Sequence, residues 1–382
     1  MKPAIFVIDD QDPEDNAMMQ ALYSRSPDSV VNHLEKVKKA GSGKFMDQYY
    51  VGYNHQSIGD CGTTTLYIEY VSMLAAKAIQ DSPLYNGQEA STRYIDMSQQ
   101  PILNPLGIRE GLEIQDCWMK FYNLAMAPTI EHLKTTYPKQ PDEDPKQYEK
   151  AIKARSFDIL RGFLPAGCTT FVSWHGTLRH AADHLVALRH HQLMEVRLLA
   201  STLLSALQTK YPHSFNQKLY DKIEKYCEIT SQLYDPASSP VYVECRSTLT
   251  NESLGIPEIQ DRPSRARLPH YLDNLGQVDY KFLLDFGSFR DLQRHRNGVC
   301  RMPLLSTKWG FNQWYLDQLP STLRSEAEAL LETQKAAINN LPAPPVGGPQ
   351  ERRSGLCAQT TADPARTGHP PGIACGTRTC AA

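Results

Sequence analysis

From Gly107 to about Tyr137, Leu, Ile, Trp, Phe and Met recur at helical spacing until Pro138 stops the pattern. A helix of that length, about 45 Å at 1.5 Å per residue, cannot hide its apolar stripe alone, so other helices must pack on it. The chain supplies them. The polar stretch Lys139 to Glu149 leads into a second helix from about Tyr148 to Phe163. After Leu164-Pro165, a β-like run from Thr169 to Ser173 precedes a long helix from about Leu178 to Leu207, striped by Leu185, Leu188, Leu199, Leu203 and Leu207. A further helix covers roughly Ser214 to Leu233. Upstream, Pro3 to Asp9 reads as a strand and Asp28 to Ala40 as a short amphipathic helix. Thr63 to Tyr70 is β-branched and aromatic enough for a strand, and Val71 to Gln80 has helical composition up to Asp81-Ser82-Pro83. Helices dominate, so the fold class is α+β, with helices packed on small mixed sheets.

At 382 residues the chain exceeds one average domain. Pro236 to Pro269 is punctuated by prolines and reads as a linker. It separates a first unit, 1–235, from a second, 270–340, in which strand and helix patterns resume and Thr322 to Asn340 forms a charged amphipathic helix. Leu341 to Ala382 is rich in Pro, Gly and small residues, has no aromatic residue and cannot bury a core. Disorder is the expectation there, and a spurious terminus such as a shifted reading frame is the alternative.

Forty basic residues against 42 acidic ones exclude binding of nucleic acid through bulk charge, though a few local arginines can still hold a nucleotide. The opening apolar run is too short for a signal peptide, and no stretch is long and apolar enough for a bilayer. Nine scattered cysteines without a C-x-x-C pair read as reduced thiols of a cytoplasmic protein, not as disulfides or a zinc site. Gly41-Ser42-Gly43-Lys44 lacks P-loop spacing and reads as a turn. His190 and His191 are adjacent, not one helical turn apart, and make a poor metal pair.

The chemistry concentrates in Asn86-Gly87-Gln88-Glu89-Ala90-Ser91-Thr92-Arg93-Tyr94. Small residues let backbone amides approach a ligand, and a serine with an arginine can hold phosphate oxygens. The same composition also suits a polar loop whose Arg93 pairs with a surface carboxylate.

Four segments together resemble the flavin-dependent thymidylate synthase family. Its signature R-H-R-x-x-S-x-N-E-x-S-x-R-Y is matched in its second half by Glu89, Ser91, Arg93 and Tyr94. The family's upstream H-x-S-x-x-E-H resembles His55-Gln56-Ser57-Ile58-Gly59-Asp60-Cys61. Its arginine before Leu-Pro resembles Arg161-Gly162-Phe163-Leu164-Pro165, and its L-x-x-R and E-I-R resemble Leu185 to Arg189 and Glu195-Val196-Arg197. The resemblance covers roughly residues 45 to 215. Three parts depart: Asp60 and Cys61 stand for Glu and His upstream, Gln88 and Asn86 stand for Asn and Ser, and Asp81-Ser82-Pro83 stands where the R-H-R triplet should be. That triplet appears instead far downstream, in Phe289-Arg290-Asp291-Leu292-Gln293-Arg294-His295-Arg296, where no S-x-R-Y follows. Each unit thus carries the half of the signature that the other lacks, as a tandem duplication with divided labour and an incomplete second copy would.

The resemblance implies reductive methylation of dUMP to dTMP, with methylenetetrahydrofolate as one-carbon donor and NADPH as reductant through FAD, since side chains cannot deliver hydride. It implies that Glu89, Ser91, Arg93, Arg161 and Arg189 serve the nucleotide, with Arg189, Arg294, His295 and Arg296 at the reaction centre. His55, Ser57, Asp60, Arg294, His295 and Arg296 are assigned to the flavin. Homo-oligomers with shared sites are the family's habit, and the implied partners are nucleotide and folate. A surface salt bridge is the alternative for Arg189, a solvated helix face for the downstream triplet, and a core histidine for His55. The family uses no cysteine to attack the ring, and Cys168 is expected to be a small buried hydrophobe. A non-catalytic flavin- or nucleotide-binding paralogue, or a partner subunit of an active synthase, is the competing reading.

Overall fold

A computed structural model describes residues 10–341, apart from 27–28, 105–106, 217–218, 233–242, 251–254, 265, 267–268, 270, 273–275, 283 and 296–304. The expected strand Pro3 to Asp9, Arg296, much of the linker and the tail after Leu341 lie outside the described residues. In chain order the main elements are α1 (Pro13–Tyr23), α2 (Val30–Ala40), a π-helical turn (Met46–Gly52), β1 (Thr63–Ser72), α3 (Met73–Gln80), α4 (Arg109–Thr136) and α5 (Pro145–Leu160). They continue with β2 (Thr169–Thr177), α6 (Leu178–Arg189), α7 (Met194–Lys210), α8 (Asp221–Gln232), β3 (Val243–Ser247), β4 (Val278–Phe282), α9 (Phe286–Leu292) and α10 (Ser321–Asn339). β1 pairs with β2, and β3 pairs antiparallel with β4 from Val243 opposite Phe282 to Ser247 opposite Val278. The fold is α+β, helix-dominated, as the periodicities imply.

Two compact units interleave along the chain. The first comprises 1–69, 78–89 and 171–234, and the second 70–77, 90–170 and 235–382. The last passage from the first unit to the second falls at 234/235.

In the first unit, Ala17 and Ala21 of α1 pack with Met46, Tyr50 and Ile58, all buried. Asp12 and Ser29 cap α1 and α2 by accepting from Glu14 N and Val31 N, and Gly41 ends α2 at a φ of 66°. The expected single helix over 178–207 is two helices. After Arg189 the chain turns through His190 to Leu193 before α7 starts. His191 Nδ1 accepts from Leu193 N at 3.0 Å, which requires that nitrogen to be unprotonated. The Arg197 guanidinium holds the same turn by donating to the carbonyls of His191 and Gln192 at 2.7 and 2.8 Å. Burial, then Arg197 and His184, push the His191 imidazole down to about 4. Between that value and about 6.5 the unfolded chain binds a proton that the folded one refuses. This contribution to stability is therefore full above pH 6.5 and is lost as pH falls towards 4, by on the order of 3 kcal/mol. Urea denaturation at several pH values should show the slope, and His191→Asn should flatten it.

In the second unit, α4 runs for 28 residues with Pro128 inside it on an exposed position. Trp118, Phe121, Tyr122, Ala125 and Leu133 form its buried side, facing Tyr148, Ile152 and Phe157 of α5. The core continues through aromatic rings: Phe121 to Phe163 at 4.8 Å, Phe163 to Phe311 at 4.9 Å and Phe311 to Tyr315 at 6.0 Å between centroids. Cys168 is fully buried, with burial pushing its thiol up to about 12, so it is the small hydrophobe expected and no nucleophile at neutral pH. The proline-rich stretch contributes β3, a strand that sequence reading left as loop, because its pairing partner β4 begins 31 residues after β3 ends.

Candidate active site

The signature loop begins as an extended segment laid along β2 in the first unit. His175 N donates to Asn86 O at 2.7 Å and Ser173 N to Gln88 O at 2.8 Å, with Glu89 bridged opposite Val172. Gly87 is required by this closeness. A Cβ there would lie 1.9 Å from Ser173 O, a backbone atom that cannot swing away. Gly87→Ala is expected to destabilise the protein by about 3 kcal/mol, checked by thermal unfolding. Ser173→Ala should not relieve the clash, since the obstructing atom is a carbonyl. The Glu89 carboxylate accepts from Gln80 Nε2 at 3.0 Å.

Past Glu89 the chain enters the second unit and folds into a tight turn. Tyr94 N and Ile95 N both donate to Ser91 O at 3.1 Å, and Arg93 N donates to the Ser91 hydroxyl at 3.3 Å. This turn presents Ser91, Thr92 and Arg93 to a pocket completed by Arg161, Arg290, Asp291 and Arg294. The lining sets four guanidiniums against one carboxylate. Its volume of about 30 Å³ is roughly two waters' worth, enough for an oxyanion head and too small for a ring.

Each arginine is held differently. Arg93 Nε donates to Asp158 Oδ1 at 2.7 Å, and that hydrogen bond, against some desolvation, raises its pKa. The carboxylate partner expected for Arg93 in a polar loop is thus present, and it is part of the site's frame. Arg161 follows α5 in a 3-10 turn, Arg161–Phe163. Its side chain is 12% exposed, with Nη1 3.6 Å from Asp158 Oδ1 and Nη2 donating to Asp291 Oδ2 at 2.9 Å. Burial pulls its pKa down, but Asp291, Tyr315 and Asp158 more than offset that, so it stands above arginine's usual value. Its buried Nε has no hydrogen-bond partner among the described residues. Arg290 is buried on α9 with Nη1 against Met73 Sδ at 3.1 Å, and Arg294 is exposed in the turn after α9.

The frame behind these arginines is a buried carboxylate. Asp285 caps α9, accepting from Ser288 N and Oγ, both at 2.8 Å. Tyr315 Oη donates to it at 2.8 Å and Asn312 Nδ2 at 3.1 Å. Tyr315 is buried, and that burial, then Asp285, raises its phenol well above the usual tyrosine value. Its ring fills the space over Gly162, where a Cβ would lie 2.7 Å from Tyr315 Cδ1. Asp285 and Tyr315 thus seat both α9 and the turn that carries Arg161.

Of the residues singled out from sequence, Ser91, Arg93, Arg161 and Arg294 meet in this pocket. His295 has described backbone in the turn with Arg294, its side chain does not belong to the described part, and Arg296 lies outside it. His55, Ser57, Asp60, Glu89 and Arg189 belong to the first unit. His55 is exposed, its ring 6.2 and 6.1 Å from those of Tyr49 and Tyr53, so it is no core histidine; Ser57 is exposed too. Asp60 accepts from Arg179 at 2.8 Å. Arg189 makes a two-pronged pair with Glu224, which His190 also reaches at 2.9 Å. This is the surface ion pair that stood as its alternative, and any role of Arg189 towards a ligand requires that pair to open. Sequence reading missed Arg290 and Asp291 as lining and Asp285 and Tyr315 as frame. Arg290 and Arg294 stand four residues apart, one helical turn, which is the signal that could have found the first of them.

The profile of a family described as Thymidylate synthase complementing protein matches residues 7–213, more than half the chain. A UPF0159 protein of Chlamydia muridarum is 26% identical, over 68% of this chain and 60% of that protein. Another, from Chlamydia pneumoniae, is 24% identical over 75% of this chain and 65% of its own length. A third, from Thermoplasma acidophilum, is 20% identical over 84% and 80%. The chain therefore spans less than two thirds of the length of the two chlamydial relatives. Among solved structures, thymidylate synthase X from Helicobacter pylori with FAD and dUMP superposes at a TM-score of 0.33, with 16% identity over 53% of this chain and 93% of that one. Arg290, Asp291 and Arg294 lie beyond the family-matched segment.

Proposed function

This chain belongs to the thymidylate synthase complementing protein family, the flavin-dependent thymidylate synthases, and on that premise we propose that it methylates dUMP to dTMP with a site completed by its own C-terminal half. The observation that carries the reading is the oxyanion-sized pocket, in which Ser91 and Arg93 of the family signature stand beside Arg290 and Arg294. Asp158 and Asp291 pair with Arg93 and Arg161, the lining still holds more guanidiniums than carboxylates, and a nucleotide phosphate is an anion that such a lining attracts. Ser91, Thr92 and Arg93 hold the phosphate from the turn, and Arg294 holds it from the far wall. Arg161, fixed by Asp158 and Asp291, adds a further guanidinium to the same phosphate site.

The residues present also suit a flavin. His55 and Ser57 offer exposed polar groups in the first unit, the His55 ring beside those of Tyr49 and Tyr53. FAD held by them would supply the hydride chemistry that side chains lack, with NADPH as reductant and methylenetetrahydrofolate as carbon donor. One observation favours the competing reading of a flavin- or nucleotide-binding paralogue without turnover: Asp81-Ser82-Pro83 offers nothing basic where the family triplet belongs.

Rescue of a thymidine-requiring strain tests the two. Wild type is expected to rescue, while Arg93→Ala and Arg294→Ala fail. If Arg294→Ala rescues as well as wild type, completion of the site by the C-terminal half is wrong. If wild type fails while the purified protein is yellow and binds dUMP, the paralogue reading stands.

A further inference from the structure

In the first unit, α8 is docked inside out. Leu219, just before it, and Ile223, Tyr226 and Ile229 within it are each half or more exposed. Leu219, Ile223 and Tyr226 follow the i, i+4, i+7 spacing of one apolar stripe. An amphipathic helix in water ordinarily turns such a stripe towards the core. Here no described residue from Asn216 to Ser231 is buried. What α8 turns towards the rest of its unit is polar.

That side is fastened by hydrogen bonds. The Glu224 carboxylate accepts from Arg189 Nε at 2.9 Å and from the same guanidinium's Nη2, and His190 Nε2 reaches it at 2.9 Å. Further along the helix, Ser231 O accepts from Gln192 Nε2 at 3.0 Å. The Arg189 hydrogen bonds hold the Glu224 carboxyl below the usual glutamate value, against some desolvation, so the anion is the form that sits in the fork. Lifting α8 would expose no buried side chain of its own, so little apolar burial resists it. The carboxylate is the principal fastening. A guanidinium fork that takes two carboxylate oxygens takes two phosphate oxygens in the same geometry.

We propose that α8 is a displaceable strap, and that Glu224 occupies a phosphate site formed by Arg189 and His190 until a ligand's phosphate takes its place. In the latched state the helix is its own competing anion. In the lifted state the fork is open, and the two states exchange one anion for another at the same guanidinium. Because α8 begins after residue 213, where the family match ends, the strap is an addition to the family-sized portion. The inference stands apart from the arginine pocket, since Arg189 and Glu224 both belong to the first unit.

The test uses the full chain, with inorganic phosphate as the probe and two readouts: calorimetric titration and hydrogen exchange of the peptide spanning α8. Glu224→Gln removes the competing charge and keeps the shape. It is expected to tighten phosphate binding at least about tenfold and to speed exchange in α8 by a similar factor. Phosphate added to wild type should also speed that exchange. The gain in affinity should persist in an Arg161→Ala background and vanish in an Arg189→Ala background, which separates this site from the arginine pocket. Glu228→Gln, an exposed acid on the same helix, should change neither readout. The strap is overturned if Glu224→Gln leaves exchange or phosphate affinity as in wild type, if Glu228→Gln has the same effect, or if the gain survives Arg189→Ala. Loss of the gain in Arg161→Ala would assign it to the arginine pocket and likewise overturn the strap.

Discussion

Asp285→Ala is expected to lower stability by about 3–4 kcal/mol, one of the largest losses a single side chain of this protein can cause. The carboxylate is 2% exposed and receives the Tyr315 hydroxyl, Asn312 Nδ2 and both donors of Ser288. Its removal orphans the buried Tyr315 donor, at about 1–3 kcal/mol, and deprives α9 of its cap, at about 1 kcal/mol. Asp285→Asn should cost less, about 2 kcal/mol, because its amide oxygen still accepts while its NH2 meets Asn312 donor to donor. Thermal unfolding should therefore rank wild type, Asn and Ala in that order. The same ranking should appear in dUMP affinity, because α9 carries Arg290 and Asp291 into the pocket. A stable Asp285→Ala protein with undiminished affinity would remove Asp285 from the frame.

Arg161→Ala should behave in the opposite way, with little loss of fold and about a hundredfold loss of dUMP or inorganic phosphate affinity. The guanidinium is buried, but its partners Asp158 and Asp291 are 25% and 44% exposed, so each regains water when it leaves. Binding loses a pre-oriented cation in a place that water screens poorly. Arg161→Lys keeps the charge and loses the planar fork that spans two carboxylates, so an intermediate loss of about tenfold is expected. Isothermal titration with a melting curve for each variant separates the two effects. Equal affinity of wild type and Arg161→Ala would rule out the pocket as the oxyanion site.

The helical skeleton was legible because 3.6-residue periodicity is a local property. The stripes over Gly107 to Tyr137 and Tyr148 to Phe163 became α4 and α5 within a few residues at their ends. The break between α6 and α7 was not legible, because leucines continue on both sides and the stop depends on where the His191 ring finds a backbone donor. β3 was hidden for a similar reason, since a strand in a polar stretch is defined by its partner. In the site, Ser91, Arg93, Arg161 and Arg294 were readable from the resemblance to a family pattern. Tyr315 was not, because it is far from both Arg161 and Asp285 in sequence and joins them only after folding. The burial of Arg290 was likewise invisible, since a charged residue on a short helix gives no local sign of facing inward.

The interleaving of the two compact units bears on how such a protein can be dissected or inherited. The family-matched segment ends at 213, yet the second unit is assembled from 70–77, 90–170 and 235–382. A chain cut back to the family-sized portion would lose α9, Tyr315 and α10 together. What remained would carry the recognisable signature and half of a cavity wall. Modularity, which lets many enzymes trade whole domains by recombination, is closed to this chain: it passes between its two compact units five times, so no single cut parts one from the other.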